Sequence, residues 1–130
     1  MPRPVRFPPV SGFADLGAVV PQQIWDGVVG RTVHGERVTF SLVELDAGTT
    51  VPEHSHVNEQ VGMILDGSLT FTVGGETRVL GRGQAWCITG HVAHSVVAGP
   101  EGAVVVEVFS PVRDDWATLD TAPPREPRWP

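Results

Sequence analysis

The sequence predicts an all-β single domain whose strands close on themselves as a barrel or a doubled sheet. Three observations carry this. The chain has 130 residues, one domain's worth with room for one core. Its 15 glycines and 12 prolines cut it into short pieces. Those pieces are rich in Val, Thr, Ile and Phe, and many alternate apolar with polar residues, as half-buried strands do.

Residues 37–45 read as a strand, ended by Asp46-Ala47-Gly48. Residues 60–65 form another, ended by Asp66-Gly67. Here Val61, Met63 and Leu65 on one face and Ile64 on the other predict cover on both sides. In 68–73, Leu69, Phe71 and Val73 alternate with Ser68, Thr70 and Thr72, and Gly74-Gly75 supplies a two-residue hairpin turn. Strands follow at 76–80, 85–88, 94–98 and 103–109, with glycine-rich breaks between them. Helix is expected only around Phe13–Leu16 and Asp114–Leu119. The tail from Ala122 to Pro130 is proline-rich and should run extended over the surface. About eight short strands at regular spacing hide their edges by closing or doubling up. Residues 1–36 are expected to supply N-terminal strands and dimer contacts, 37–113 the barrel core, and 114–130 the tail.

Composition excludes several function classes. Hydrophobic residues make up 41% and charged residues 18%, which is a globular balance. With 9 basic and 15 acidic residues, the net charge is −6. No basic cluster is present to neutralise phosphates, so nucleic-acid binding is not expected. The single cysteine, Cys87, rules out a disulfide within the chain and reads as an inert buried thiol beside a packed Trp86. No run of ~18 apolar residues occurs to span a membrane. A soluble cytoplasmic protein is the expectation.

Four of the five histidines fall in two groups. In His54-Ser55-His56 the imidazoles sit at i and i+2, which on a strand share a face. Gln60 follows after a turn at Val57-Asn58, and His91 and His94 lie beyond Gly81-Arg82-Gly83. Three imidazoles from two strands make a metal site with positions left open for substrate. The candidate ligands are His54, His56, Gln60 and His94. The metal itself is left open among Zn, Ni, Fe, Co and Mn, since imidazole-rich sites accept them all. His91 reads as a rim residue and His34 as a turn residue. Glu53 and Glu59, of opposite parity to the ligands, should face solvent.

Residues 48–67, from Gly48 through His54, His56 and Gln60 to Gly67, resemble the first cupin motif. That motif normally carries Glu where Gln60 stands. Residues 81–94, with Gly83, Thr89-Gly90 and His94, resemble the second, which usually has Pro at Thr89. The resemblance implies a double-stranded β-helix, the cupin jelly-roll barrel. With Gln60 in place of Glu, three neutral imidazoles and an amide leave a divalent site near +2, which polarises bound oxygens more strongly. A closer resemblance joins His54–Gly62, Thr72–Glu76 and Glu107–Trp116 to the pectin-degradation cupins. Those enzymes convert 4,5-unsaturated uronates to open-chain keto acids. The resemblance implies a small anionic substrate and catalytic roles for Glu107, Phe109 and Arg113; where the family has Asp, this chain has Glu107.

Glu107 and Phe109, at i and i+2, share a face opposite Val104, Val106 and Val108. Two readings of Glu107 stand at this point. It is a general acid or base with a raised pKa, beside an Arg113 that grips a substrate carboxylate in bidentate fashion and a Phe109 that stacks on the sugar. Or it pairs structurally with an arginine while Phe109 fills the core. Trp25 and Trp116 are expected at a pocket mouth or a dimer contact. Three functions follow: a metal-dependent lyase or isomerase on a small carboxylated sugar, a three-His Fe(II) dioxygenase, or a non-catalytic metal or small-ligand binder. A homodimer through Val5–Val10 and Ala18–Val29 is expected, two-fold pairs being the commonest assembly.

Overall fold

The computed structural model describes residues 11–130. The predicted contact segment Val5–Val10 lies outside them. Eight strands form the described sheet: β1 (Gln22–Trp25), β2 (Val28–His34), β3 (Thr39–Leu45), β4 (Thr50–His54), β5 (Glu59–Val73), β6 (Glu76–Gly81), β7 (Ala85–Ile88) and β8 (His94–Ser110). All pairings are antiparallel. This is the jelly-roll class that the strand pattern and motifs predict.

The long strands β5 and β8 build both layers. The first half of β5 and the second half of β8 pair with each other, extended by β7 on one side and by β3, β2 and β1 on the other. Their remaining halves pair again in the opposite layer, flanked by β6 and β4. The core lies between the layers, where Val43, Leu45, Ile64, Leu69, Phe71 and Val105 pack together.

Four of the predicted strands are therefore two. Residues 60–65 and 68–73 are one strand, as are 94–98 and 103–109. Asp66-Gly67 and Gly99–Gly102 bend those strands from one layer to the other, and irregular register marks the bend in β5. Gly67 and Gly102 take φ of +79° and +73°, and a side chain on Gly67 would strike the Gly102 carbonyl. Gly74 and Gly75, at +55° and +86°, form the predicted hairpin turn.

Other expectations change. Phe13–Leu16 is irregular and leads into a turn, whereas Asp114–Thr118 is a short 3-10 helix. Val61 and Met63 are 47% and 37% exposed, because the outer side of β5 is uncovered where its inner side meets the core. Cys87, paired opposite Val61, is exposed on the same outer side, while Trp86 packs inward against Phe71 as expected. His34 ends β2 and bonds Thr39 Oγ1 through Nδ1 at 2.9 Å, closing the β2–β3 hairpin instead of forming its turn.

The tail forms no helix or strand beyond the bridge of Thr121 to Gln22, and it is pinned. Arg125 donates to Glu44 at 3.0 Å, and Arg128 binds Asp46 and the Leu45 carbonyl. Beneath it, the buried Arg31 lies 3.5 Å from Glu44 and donates to the Arg125 carbonyl at 2.9 Å. A carboxylate that is 1% exposed, as Glu44 is, needs such partners. No helix among the described residues is long and apolar enough to cross a membrane.

Candidate metal centre

The β4–β8 pairing sets His54 directly opposite His94. His56 follows in the loop after β4, not on the strand itself, and Gln60 opens β5. Their side chains converge: the three imidazoles each present a ligand atom within 4.8 Å of the others.

Each ring is fixed in the same tautomer. Nδ1 of His54 donates to the Pro52 carbonyl at 2.8 Å, that of His56 to Asn58 at 2.9 Å, and that of His94 to Val92 at 2.9 Å. With Nδ1 carrying the proton, each Nε2 lone pair faces the shared centre. His94 Nε2 is buried and has no hydrogen-bond partner. His56 Nε2 lies 3.1 Å from Gln60 Oε1. In this tautomer both atoms are acceptors and cannot bond each other. Their spacing instead suits two neighbouring ligands, each ~2.1 Å from one cation. An orphaned buried nitrogen and facing lone pairs are what a divalent metal would satisfy, so the donor set fits one. Burial lowers the His56 pKa, with Arg113 adding to the effect, and burial takes His94 down to about 4; both imidazoles thus stay neutral, as ligands must.

Gln60 has a second partner. Its Nε2 donates to Glu107 Oε1 at 2.7 Å, which turns the amide oxygen toward His56. Glu107 is therefore bonded to the fourth candidate ligand, and among the described residues it forms no ion pair with an arginine. Burial pushes Glu107 up to about 7, against the pull of the Gln60 hydrogen bond and the Arg113 charge.

These groups line one cavity of about 200 Å³ with Phe109, Arg113, Trp25 and Trp116. Phe109 is buried, 5.9 Å from the His56 ring and 5.0 Å from Trp116. Trp25 is 36% exposed and lies 5.2 Å from the His54 ring, at the rim. Deeper walls are apolar, with Leu69, Phe71 and Val105. His91 is an exposed turn residue whose amide bonds the His56 carbonyl at 2.8 Å; its side chain does not line the cavity. Glu53 and Glu59 are exposed, as their parity requires.

Two supporting residues escape the sequence reading. Asn58 is buried and donates to the Pro111 carbonyl at 2.6 Å while its own carbonyl orients His56. Asp115 holds the Arg113 guanidinium through both carboxylate oxygens, at 3.0 and 2.9 Å. The acid two residues after Arg113 was the available signal for the second.

Comparison with known proteins agrees with this arrangement. A cupin domain model matches residues 41–109. The pectin degradation protein KdgF of Dickeya dadantii is 27% identical over 97 residues, covering 73% of this chain and 88% of that protein. The structure of KdgF from a Halomonas species superposes with a TM-score of 0.75 at 27% identity, covering 82% of this chain and 98% of the other. An RmlC-like cupin from Shewanella frigidimarina shares the fold, with a TM-score of 0.76 at 24% identity and coverage of 82% and 96%. The two sequence motifs, the jelly-roll topology and the matched domain together place the chain in the cupin family.

Proposed function

We propose that this cupin is a metal-dependent lyase or isomerase that opens 4,5-unsaturated uronates or a related small carboxylated sugar. The observation that carries the reading is one cavity lined by three convergent imidazoles, the half-buried Glu107, whose carboxyl desolvation pushes up to about 7, and the buried Arg113 guanidinium. His54, His56, His94 and Gln60 would hold the metal. A bound divalent cation supplies Lewis-acid polarisation of substrate oxygens.

The chain's own groups supply the rest. Opening an unsaturated uronate is an isomerisation: the hemiacetal C–O bond breaks as its hydroxyl gives up a proton, and the enol so formed takes a proton at carbon to become a ketone. The double bond is lost and the proton count is unchanged. Glu107, bonded to Gln60 and pushed up by burial, is placed to accept and return a proton at the substrate. Gln60 holds that carboxylate at the metal edge of the cavity. Arg113 anchors the substrate carboxylate, and Phe109 and Trp25 offer flat faces to the ring. The KdgF relatives support this reading, since one is described as a pectin degradation protein.

The test is turnover of unsaturated galacturonate or guluronate monomers, followed by loss of the conjugated ultraviolet absorbance. Wild-type protein should be active and EDTA-treated protein inactive. Glu107→Gln and Arg113→Ala should each cost at least ~100-fold in kcat/KM with the fold intact. Full activity in both variants would sink the assignment. A cytoplasmic homodimer through Val5–Val10 and Ala18–Val29 completes the proposal. A monomer by light scattering would refute that part.

A further inference from the structure

The chain contains no lysine, and among the described residues Arg113 is the only arginine that lines the cavity. Among the described residues, anion recognition by an arginine therefore falls to one guanidinium. Its setting is unusually complete. Arg113 is 9% exposed, and its Cζ lies 4.8 Å from the Phe109 ring and 4.4 Å from the Trp116 ring. Its backbone amide donates to Thr39 Oγ1 at 3.0 Å. Asp115 Oδ1 accepts from Nε at 3.0 Å and Oδ2 from Nη2 at 2.9 Å.

That pairing uses one edge of the guanidinium. The edge made by Nη1 and the second Nη2 hydrogen is left for a ligand, and a planar carboxylate matches it with two parallel bonds. The cation is also neutralised in advance, because Asp115 remains ionised: burial pushes its carboxyl up, but the hydrogen bond and charge of Arg113 outweigh this and hold it below the usual range. A phosphate monoester at Arg113, carrying about −1.5 to −2 at neutral pH, would meet the Asp115 carboxylate, and among the described lining residues no second arginine stands beside it to offset that charge. Stability gives little reason for the pair. The Asp115 side chain is 61% exposed, and ion pairs with an exposed partner contribute little.

We infer that Asp115 is a positioning residue that sets the anion class of the site: by filling one edge of Arg113 and cancelling its charge, it admits a single carboxylate and rejects phosphate esters. The inference rests on Arg113 being the carboxylate anchor of the proposed reaction. Asp115 acts through Arg113 and touches no reacting atom.

The experiment uses metal-loaded wild type, D115N, D115A, R113A and the D115A/R113A double variant. On the uronate substrate, D115A should raise KM about tenfold with kcat within about twofold. D115N keeps an oxygen that accepts from Nε and should recover part of that loss. Inorganic phosphate should inhibit D115N and D115A about tenfold more strongly than wild type, while acetate inhibition weakens in step with the rise in uronate KM. In the R113A background, D115A should change neither quantity. Unchanged phosphate inhibition, or equal effects of D115A with and without Arg113, would overturn the inference. If wild type fails to turn over the uronate, the proposed reaction fails. The role of Asp115 is then read from calorimetric titration of the same proteins with phosphate and acetate, where the same ranking is required and its absence overturns the inference.

Discussion

Replacing Gln60 by Glu should raise the proton affinity of Glu107 sharply. In the native chain Gln60 Nε2 donates to Glu107 Oε1 at 2.7 Å, a bond that favours the ionised carboxyl. Gln60→Glu removes that donor and puts a second carboxylate in its place. With charge centres about 4 Å apart and an effective dielectric near 20, the repulsion is about 4 kcal/mol, equivalent to about three pKa units. Two carboxyls so close titrate as a pair, sharing a proton over a wide pH range. The upper apparent pKa of the pair in metal-stripped protein should therefore lie above ~9, against about 7 for Glu107 in the native chain. Metal binding should shrink the shift, because the new carboxylate would then face a cation. Carbon-13 NMR of labelled glutamate side chains, recorded across a pH series with and without metal, reads this without any catalytic assay. Titration of Glu107 at or below its native value in stripped Gln60→Glu protein would refute the reasoning.

Other outcomes follow from the same coordinates. Glu107 titrates at about 7 when folded, above the ordinary 4.5, so folding is penalised progressively as pH rises from 4.5 to 7 and constantly above that. In EDTA-treated protein, Glu107→Gln should thus be more stable than wild type by roughly 3 kcal/mol at pH 8, with the gap closing by pH 4.5; thermal melts at the two pH values check the sign. A Cβ on Gly62 would sit 2.6 Å from Trp86 Cε2 and 2.8 Å from the Val106 carbonyl oxygen. Gly62→Ala should cost about 2 kcal/mol in urea denaturation, and a change below ~0.5 kcal/mol would show that Trp86 has room to move. Deleting residues 123–130 removes Arg125 and Arg128 from Glu44, leaving it Arg31 alone. That truncation should lower stability by about 2 kcal/mol, and Glu44→Gln in the truncated chain should restore part of the loss.

The convergence of the three histidines was legible because spacing and chemistry agree. His-x-His, an amide four residues later and a histidine after a glycine-rich turn define a site from sequence alone, and the hydrogen bonds of each Nδ1 complete it. Strand number was less legible. Gly67 and Gly102 look like turn residues, yet each lets a long strand change layer, a distinction that only tertiary pairing makes. The exposed side of Val61, Met63 and Cys87 is hidden from the sequence for a related reason. Apolar alternation signals a strand, but it does not say whether anything covers the second face. Glu107 had two readings because one sequence cannot orient a strand; the register opposite Gly62, with Gln60 facing it, decides its partner. The tail's grip on Glu44 joins residues more than 80 positions apart, beyond the reach of local pattern.

The most direct test of the account is the metal content of purified protein. After loading with a divalent metal and exhaustive dialysis, wild type should retain one equivalent per chain by mass spectrometry. His94→Ala should retain almost none, and Gln60→Ala should bind measurably more weakly. A full equivalent of metal in His94→Ala, or none in wild type, would contradict the centre on which the proposed chemistry rests.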